Sequence, residues 1–175
     1  MTRQLDVFVI RGAPGAGKST LGRKLWRALP GGAVLEVDDF RAMLCQVDWA
    51  SRDDHDAALD AAMAAIVAYV ARGRRPIVLI DTFSRSRLSA VQAFLRESRM
   101  HHYTLSLWVD PRSLAQRLEA RASGFKDWEP SKILNDEVRT NRYPAEHFID
   151  ATALAPDAVL AAAVALIRAC EDGSS

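Results

Sequence analysis

The chain has 175 residues, with 49% hydrophobic and 26% charged side chains, which excludes a disordered segment and allows one domain with a sizeable core. A net charge of +1 supplies no whole-molecule attraction to nucleic acid, although a local basic cleft stays open. No apolar run is long enough for a membrane span, the N-terminus leads straight into a strand without a signal peptide, and two cysteines without metal-like spacing, Cys45 and Cys170, read as reduced thiols, so a cytoplasmic protein is expected.

In chain order, Leu5 to Ile10 reads as a buried strand. Gly12-Ala13-Pro14-Gly15-Ala16-Gly17-Lys18-Ser19 follows and fits the phosphate-loop pattern G-x-x-x-x-G-K-[ST]. Its glycines let backbone N–H groups turn inward around phosphates, and the helix that starts near Lys18 adds a field favourable to an anion. Lys18 is expected on the β- and γ-phosphates and Ser19 on Mg²⁺, with ATP as the nucleotide. Leu21, Leu25 and Leu29 form the buried stripe of that helix, and Pro30-Gly31-Gly32 stops it. Ala33 to Val37 is a second strand, ending at Asp38-Asp39-Phe40-Arg41. A short helix is expected over 40–46, with Asp39 as its cap and Asp38 facing the cleft.

The polar segment 51–56 leads into a long, alanine-rich helix with Leu59, Met63, Ile66 and Val70 on its core face. Gly73 closes it, and Arg72, Arg74 and Arg75 read as partners of its C-terminal dipole. Pro76 to Ile80 is a third strand, continuous in Ile and Val as in a covered parallel sheet, ending at Asp81-Thr82. A helix over 86–99 follows, then a fourth strand from Tyr103 to Val109, and Asp110-Pro111 caps and opens another helix with Leu114 and Leu118 inward. Residues 124–130 read as a loop, 131–141 as a helix, Phe148-Ile149 as a short fifth strand and Pro156 onward as a final helix. Residues 173–175 are expected to fray. The alternation predicts a parallel five-stranded sheet in a three-layer α/β/α fold, one domain over 1–175, with about 122–141 as a helical lid.

In open sheets of this kind ligands bind beyond the carboxyl ends of the strands, where the phosphate loop, Asp38 and Asp81 all fall. Asp38 is placed to accept or orient the proton of an attacking hydroxyl. Asp81 either holds Mg²⁺ through water or pairs with Arg41 and fixes it for the acceptor. Arg117 and Arg121, four apart on one helix face, would gain from an anion opposite them, since like charges at that spacing repel, or else form a solvated basic face balanced by Glu119 and Asp127. Arg139 and Arg142 either face phosphate or pair with Asp136 or Glu146 at the surface. His55, His101, His102 and His147 read as structural or surface residues, and Phe125 and Trp128 as packing for the lid first and as a stacking surface for a base or substrate ring second.

Gly12 to Thr20, Asp38-Asp39-Phe40-Arg41, Asp81-Thr82, and Arg117 with Arg121 together resemble the small P-loop kinases of the AAA type. The pattern is most similar to the kinase domain of 5′-hydroxyl polynucleotide kinases, over roughly residues 7–149. The resemblance implies a P-loop NTPase fold of the nucleoside-kinase type, Asp38 as general base, Arg41 on the acceptor, Asp81 supporting Arg41, and Arg121 as the lid arginine on the transferred phosphate. Val37 departs from the family, in which a basic residue often precedes the paired aspartates. The expected activity is ATP-dependent transfer of the γ-phosphoryl group to a hydroxyl, first to the 5′ end of RNA or DNA. The alternatives are a nucleoside, sugar or antibiotic acceptor, or a nucleotide-gated binding module with little transfer.

Overall fold

The computed structural model describes residues 4–122, 124–140 and 146–171. Twelve elements alternate along them: β1 (Val7–Gly12), α1 (Lys18–Ala28), β2 (Ala33–Glu36), α2 (Val37–Ala42), α3 (Arg52–Ala71), β3 (Ile77–Asp81), α4 (Arg85–Glu97), β4 (His102–Trp108), α5 (Pro111–Glu119), α6 (Trp128–Thr140), β5 (Glu146–Asp150) and α7 (Pro156–Glu171). The strands form one parallel sheet in the order β2-β3-β1-β4-β5. The chain leaves central β1, crosses to edge β2, returns through β3, and then changes sides to β4 and β5. That reversal opens a crevice at the carboxyl end of β1, where strand order switches.

Alternating side chains of the strands feed two cores. Phe8 and Ile10 of β1 pack on one face with Leu21 and Leu25 of α1, Leu114 and Leu118 of α5, and Ala163 and Ile167 of α7. Val7 and Val9 point the other way, toward Leu59 and Ile66 of α3 and Leu88 and Val91 of α4. Each wholly buried aliphatic chain contributes about 1.5–3 kcal/mol, so the helices are held by these stripes more than by propensity.

Side chains fix several helix starts. Ser51 accepts from Asp54 N at α3, Ser84 from Arg87 N at α4, and Asp110 from Arg112 N and Ser113 N at α5, with Pro111 in the first helical position. Asn135, buried on α6, donates to Val109 O at 2.7 Å and accepts from Val109 N at 3.4 Å, which ties α6 to the end of β4. The sheet also buries a charge. Arg11 Nε lies 3.0 Å from a Glu146 carboxylate oxygen, both side chains fully enclosed, and donates to Ser106 Oγ at 2.9 Å; Ser106 Oγ donates in turn to Glu146. The cluster joins β1, β4 and β5.

The expected three layers and five parallel strands are present, with boundaries shifted. Strands β1, β3 and β5 reach farther toward their carboxyl ends than their apolar runs, because Arg11, Asp81 and Asp150 still pair in the ladder. Helix α2 begins at Val37, not 40, so Asp38 and Asp39 lie in its first turn; the N-cap is Glu36, without a side-chain bond, and Asp39 caps nothing. Helix α6 starts at Trp128, and Trp128 packs against the α1/α5/α7 core. Cys45 is exposed and Cys170 buried, so no disulfide joins these two. Among the described residues no helix is long and apolar enough to cross a membrane. Arg142 and residues 173–175 lie outside the described residues.

Candidate active site

An open cleft of about 1570 Å³ lies over the carboxyl ends of β1, β2 and β3. Its floor is the phosphate loop. Gly12 must lack a side chain, since a Cβ there would stand 2.8 Å from Leu107 O, and Gly17, at φ +100°, caps α1 in the left-handed region. No side chain caps the amino end of α1 and no acidic residue lies in its first turn. Its outward N–H groups are therefore left to an external anion. Pro14 to Thr20 line the cleft, while Ala13 and Gly12 are buried behind the loop. Lys18 Nζ donates to Ala13 O at 3.0 Å, which folds the side chain back over the loop. Packed protein drives its ammonium down to about 8, against the pull of Asp81, Asp38 and Glu36; the charge of Arg121 pushes the same way as the burial.

Asp38 is exposed to the cleft from the first turn of α2. Its pKa is raised above the ordinary value of 3.8 by the surrounding protein and by the Asp81 carboxylate, with Lys18, Arg41 and His55 opposing. These mutual influences put Lys18, Asp38 and Asp81 in one electrostatic cluster. A cleft carboxylate whose pKa is lifted toward neutrality has the character of a proton acceptor.

Arg41 lines the cleft but is largely buried, and its work is local. Nη2 donates to the carbonyls of Asp48, Trp49 and Ser51 at 3.1, 2.7 and 3.0 Å, and the guanidinium lies 5.0 Å from the Trp49 ring centre. The expected support of Arg41 by Asp81 is not made. Asp81 Oδ2 lies 3.0 Å from His55 Nε2 instead, because the fourth residue of α3 reaches the end of β3 first. Both atoms are buried, and neither makes a hydrogen bond to any of the described residues. His55, read from sequence as structural or surface, is thus a lining residue of the cleft. A histidine in a polar segment carries no local sign of this; its carboxylate partner lies on a different element.

Arg117 and Arg121 both line the far wall. Arg117 Nη2 donates to Ala151 O at 2.8 Å and Thr152 O at 3.2 Å, securing the turn before α7. Arg121 Nη1 donates to Phe125 O at 3.2 Å, and its charge reaches Lys18. Phe125 is half-exposed and lines the cleft. Arg139 lies 5.3 Å over the Trp108 ring, and Glu146, its expected alternative partner, is taken by Arg11.

For Mg²⁺, Ser19 and Asp81 are oxygen donors on the cleft wall, and oxygen donors suit this ion. The orphaned Asp81 Oδ2 fits a carboxylate whose remaining partner is a cation or its water. Among the described residues no group of three or more His, Cys, Asp or Glu is gathered to hold a metal ion. Mg²⁺ commonly takes only one or two protein ligands and fills its shell with phosphate and water, so the residues present fit it.

A loop of this kind after a central parallel strand defines a P-loop protein of three-layer α/β/α architecture. The chain belongs to the AAA domain family, whose model matches residues 7–142. No curated protein matches it significantly. Among solved structures it is similar to the Deinococcus radiodurans tunicamycin resistance protein (19% identity, 94% of this chain and 96% of that chain, TM-score 0.67). It is also similar to a gluconokinase from Sinorhizobium meliloti 1021 (21% identity, 98% and 97%, TM-score 0.65). A chain of the Pnkp1/Rnl/Hen1 RNA repair complex matches at 19% identity over 79% of this chain and 44% of that one, with a TM-score of 0.61. At these identities the likeness is one of fold.

Proposed function

We propose that the chain is a kinase that transfers the γ-phosphoryl group of ATP to a hydroxyl. The observation that carries the reading is the shared electrostatic cluster of Lys18, Asp38 and Asp81, set at the carboxyl ends of three strands beside an uncapped helix N-terminus. In this reading the loop amides of Gly15 to Thr20 hold the β- and γ-phosphates, and Lys18 exchanges Ala13 O for a phosphate oxygen. Ser19 and, through water, Asp81 hold Mg²⁺, which supplies charge neutralisation on the phosphates when bound. Asp38 orients the acceptor hydroxyl and takes its proton. Arg121 neutralises charge on the moving group, with the loop through Phe125 acting as the lid, while α6 stays docked through Asn135. Such a site works by positioning and fixed charge.

The family resemblance leads with a polynucleotide 5′-hydroxyl, to be met by Arg41. A second reading, a small uncharged alcohol, has a specific observation behind it. Near Asp38, Arg87 is neutralised by Asp56 and the fork of Arg41 is turned onto three carbonyls, while Asp38 and Asp39 stay exposed. Exposed carboxylates beside a buried guanidinium suit a hydroxyl donor better than a phosphodiester. Transfer of labelled γ-phosphate, screened over 5′-hydroxyl oligonucleotides, nucleosides, sugars and aminoglycosides, tests both. Labelled acceptor that depends on Asp38 is the expected result. Nucleotide hydrolysis with no labelled acceptor would leave a nucleotide-gated module as the reading.

A further inference from the structure

We infer that His55 is a positioning residue for Asp81: seated at the start of α3 by a loop that Arg41 clamps, it holds the carboxylate that faces the nucleotide's Mg²⁺. The inference rests on the proposed nucleotide site.

The seat of His55 is built with little play. Three carbonyls of the 48–51 loop converge on Arg41 Nη2. The same loop is tied to α3 from its other side, with Asp48 N donating to Asp54 Oδ2 at 2.8 Å and Asp54 N donating to Ser51 Oγ at 3.2 Å. Residue 55 follows directly, and its ring is nine-tenths enclosed against Asp81. A loop this heavily bonded, backed by a buried guanidinium, is more than a connection between α2 and α3. It fixes where one imidazole meets one carboxylate.

Asp81 needs such a hold. Among charged neighbours it acts most strongly on Lys18, so the two are close enough to attract in a site partly shielded from water. Opposite charges this near attract, and a direct Lys18–Asp81 pair would withdraw both groups from a nucleotide; Ala13 O holds the lysine and His55 the carboxylate. Nε2 stands 3.0 Å from Oδ2, an oxygen enclosed by the protein, so the hold is on the buried part of the carboxylate, and the part of Asp81 that lines the cleft stays available to a metal-bound water. Partners of this kind, one step removed from an ion, typically set its affinity by about 10–100-fold.

The test is calorimetric titration of the full chain with ATP, in EDTA and over a series of Mg²⁺ concentrations, with no acceptor or turnover required. His55→Ala is expected to raise the Mg²⁺ concentration that half-maximally tightens ATP binding by about tenfold or more, with ATP affinity in EDTA unchanged. His55→Gln, whose amide N–H reaches about as far as Nε2, is expected to recover most of the loss. Arg41→Met, which frees the loop, should move the Mg²⁺ requirement in the same direction as His55→Ala. An unchanged Mg²⁺ requirement in His55→Ala overturns the inference. So does an equal loss of affinity in EDTA, or a Gln variant no better than Ala. If the unsubstituted chain binds ATP under neither condition, the proposed function itself falls; if it binds normally and only the His55 variants behave as wild type, the function stands and the inference falls.

Discussion

The buried pair Arg11–Glu146 offers a sharp test of how the sheet is held under the site. Both side chains are fully enclosed, and Ser106 bridges them. Removing either residue takes the counter-charge from an ion that water cannot reach. Arg11→Met and Glu146→Leu are each expected to cost about 3–5 kcal/mol, a large share of a typical total of about 5–15 kcal/mol. The double variant replaces both ions by apolar chains and should recover most of that cost, because such exchanges are often neutral. What remains is the Ser106 hydroxyl without its partners, about 1–3 kcal/mol. Urea unfolding followed by far-UV circular dichroism gives the four stabilities of the cycle, provided the slopes agree. A large coupling energy is expected. Single variants that each cost under about 1 kcal/mol, or a double variant equal to the sum of the singles, would refute the argument.

Five further outcomes follow from the cleft. Lys18 releases its proton near pH 8 instead of at the ordinary 10.5, so between these values ATP binding should take up a proton and weaken as pH rises; calorimetry in buffers of different ionisation heat reads this directly. Over the same window the nucleotide-free chain should gain stability with rising pH, since the unfolded chain keeps a proton that the folded one has shed. Asp38→Asn should lower turnover by about 10²–10⁴ with ATP affinity nearly intact, and in the unsubstituted chain the acid limb of the rate should lie above 3.8, because Asp38 is protonated more readily than an ordinary aspartate. Gly17→Ala forces an L-residue to φ +100° although its Cβ meets open space, so a cost of about 1–2 kcal/mol and weaker nucleotide binding are expected from thermal melts with and without ATP. A 5′-hydroxyl oligonucleotide acceptor would bind with a steep salt dependence and an uncharged one would not, which filter binding at rising ionic strength separates.

The sequence discloses what is local. The phosphate loop is a fixed spacing of residues with one geometry, and Asp110-Pro111 is a cap and a first helical position written side by side. The parallel sheet and its layers followed from apolar runs separated by helical stripes, whereas the strand order is seen only in the fold. What stayed hidden depends on contacts between distant segments. Nothing near His55 marks it as a partner of Asp81, since α3 and β3 meet only in the folded chain. The start of α2 was misplaced because Glu36 caps it without a side-chain bond, so the usual Ser or Asp signal is missing and Asp39 took its place in the reading. Arg11 did leave a trace, a charge at the end of an apolar strand, but its partner Glu146 lies at the far edge of the sheet.

The order β2-β3-β1-β4-β5 divides the cleft by ancestry as well as by chemistry. Groups assigned to the donor come from the loop after the central strand, from the end of β3 and from the end of α5, whereas those assigned to the acceptor, Asp38 and Arg41, come from α2 directly after β2. Because β2 is the margin of the sheet and pairs with β3 alone, insertions or exchanges there disturb one neighbour and spare the triphosphate cradle. Because residues 37–55 carry Arg41 and His55, a graft there changes the choice of alcohol without loss of the phosphate machinery only where position 41, the 48–51 loop and position 55 are kept.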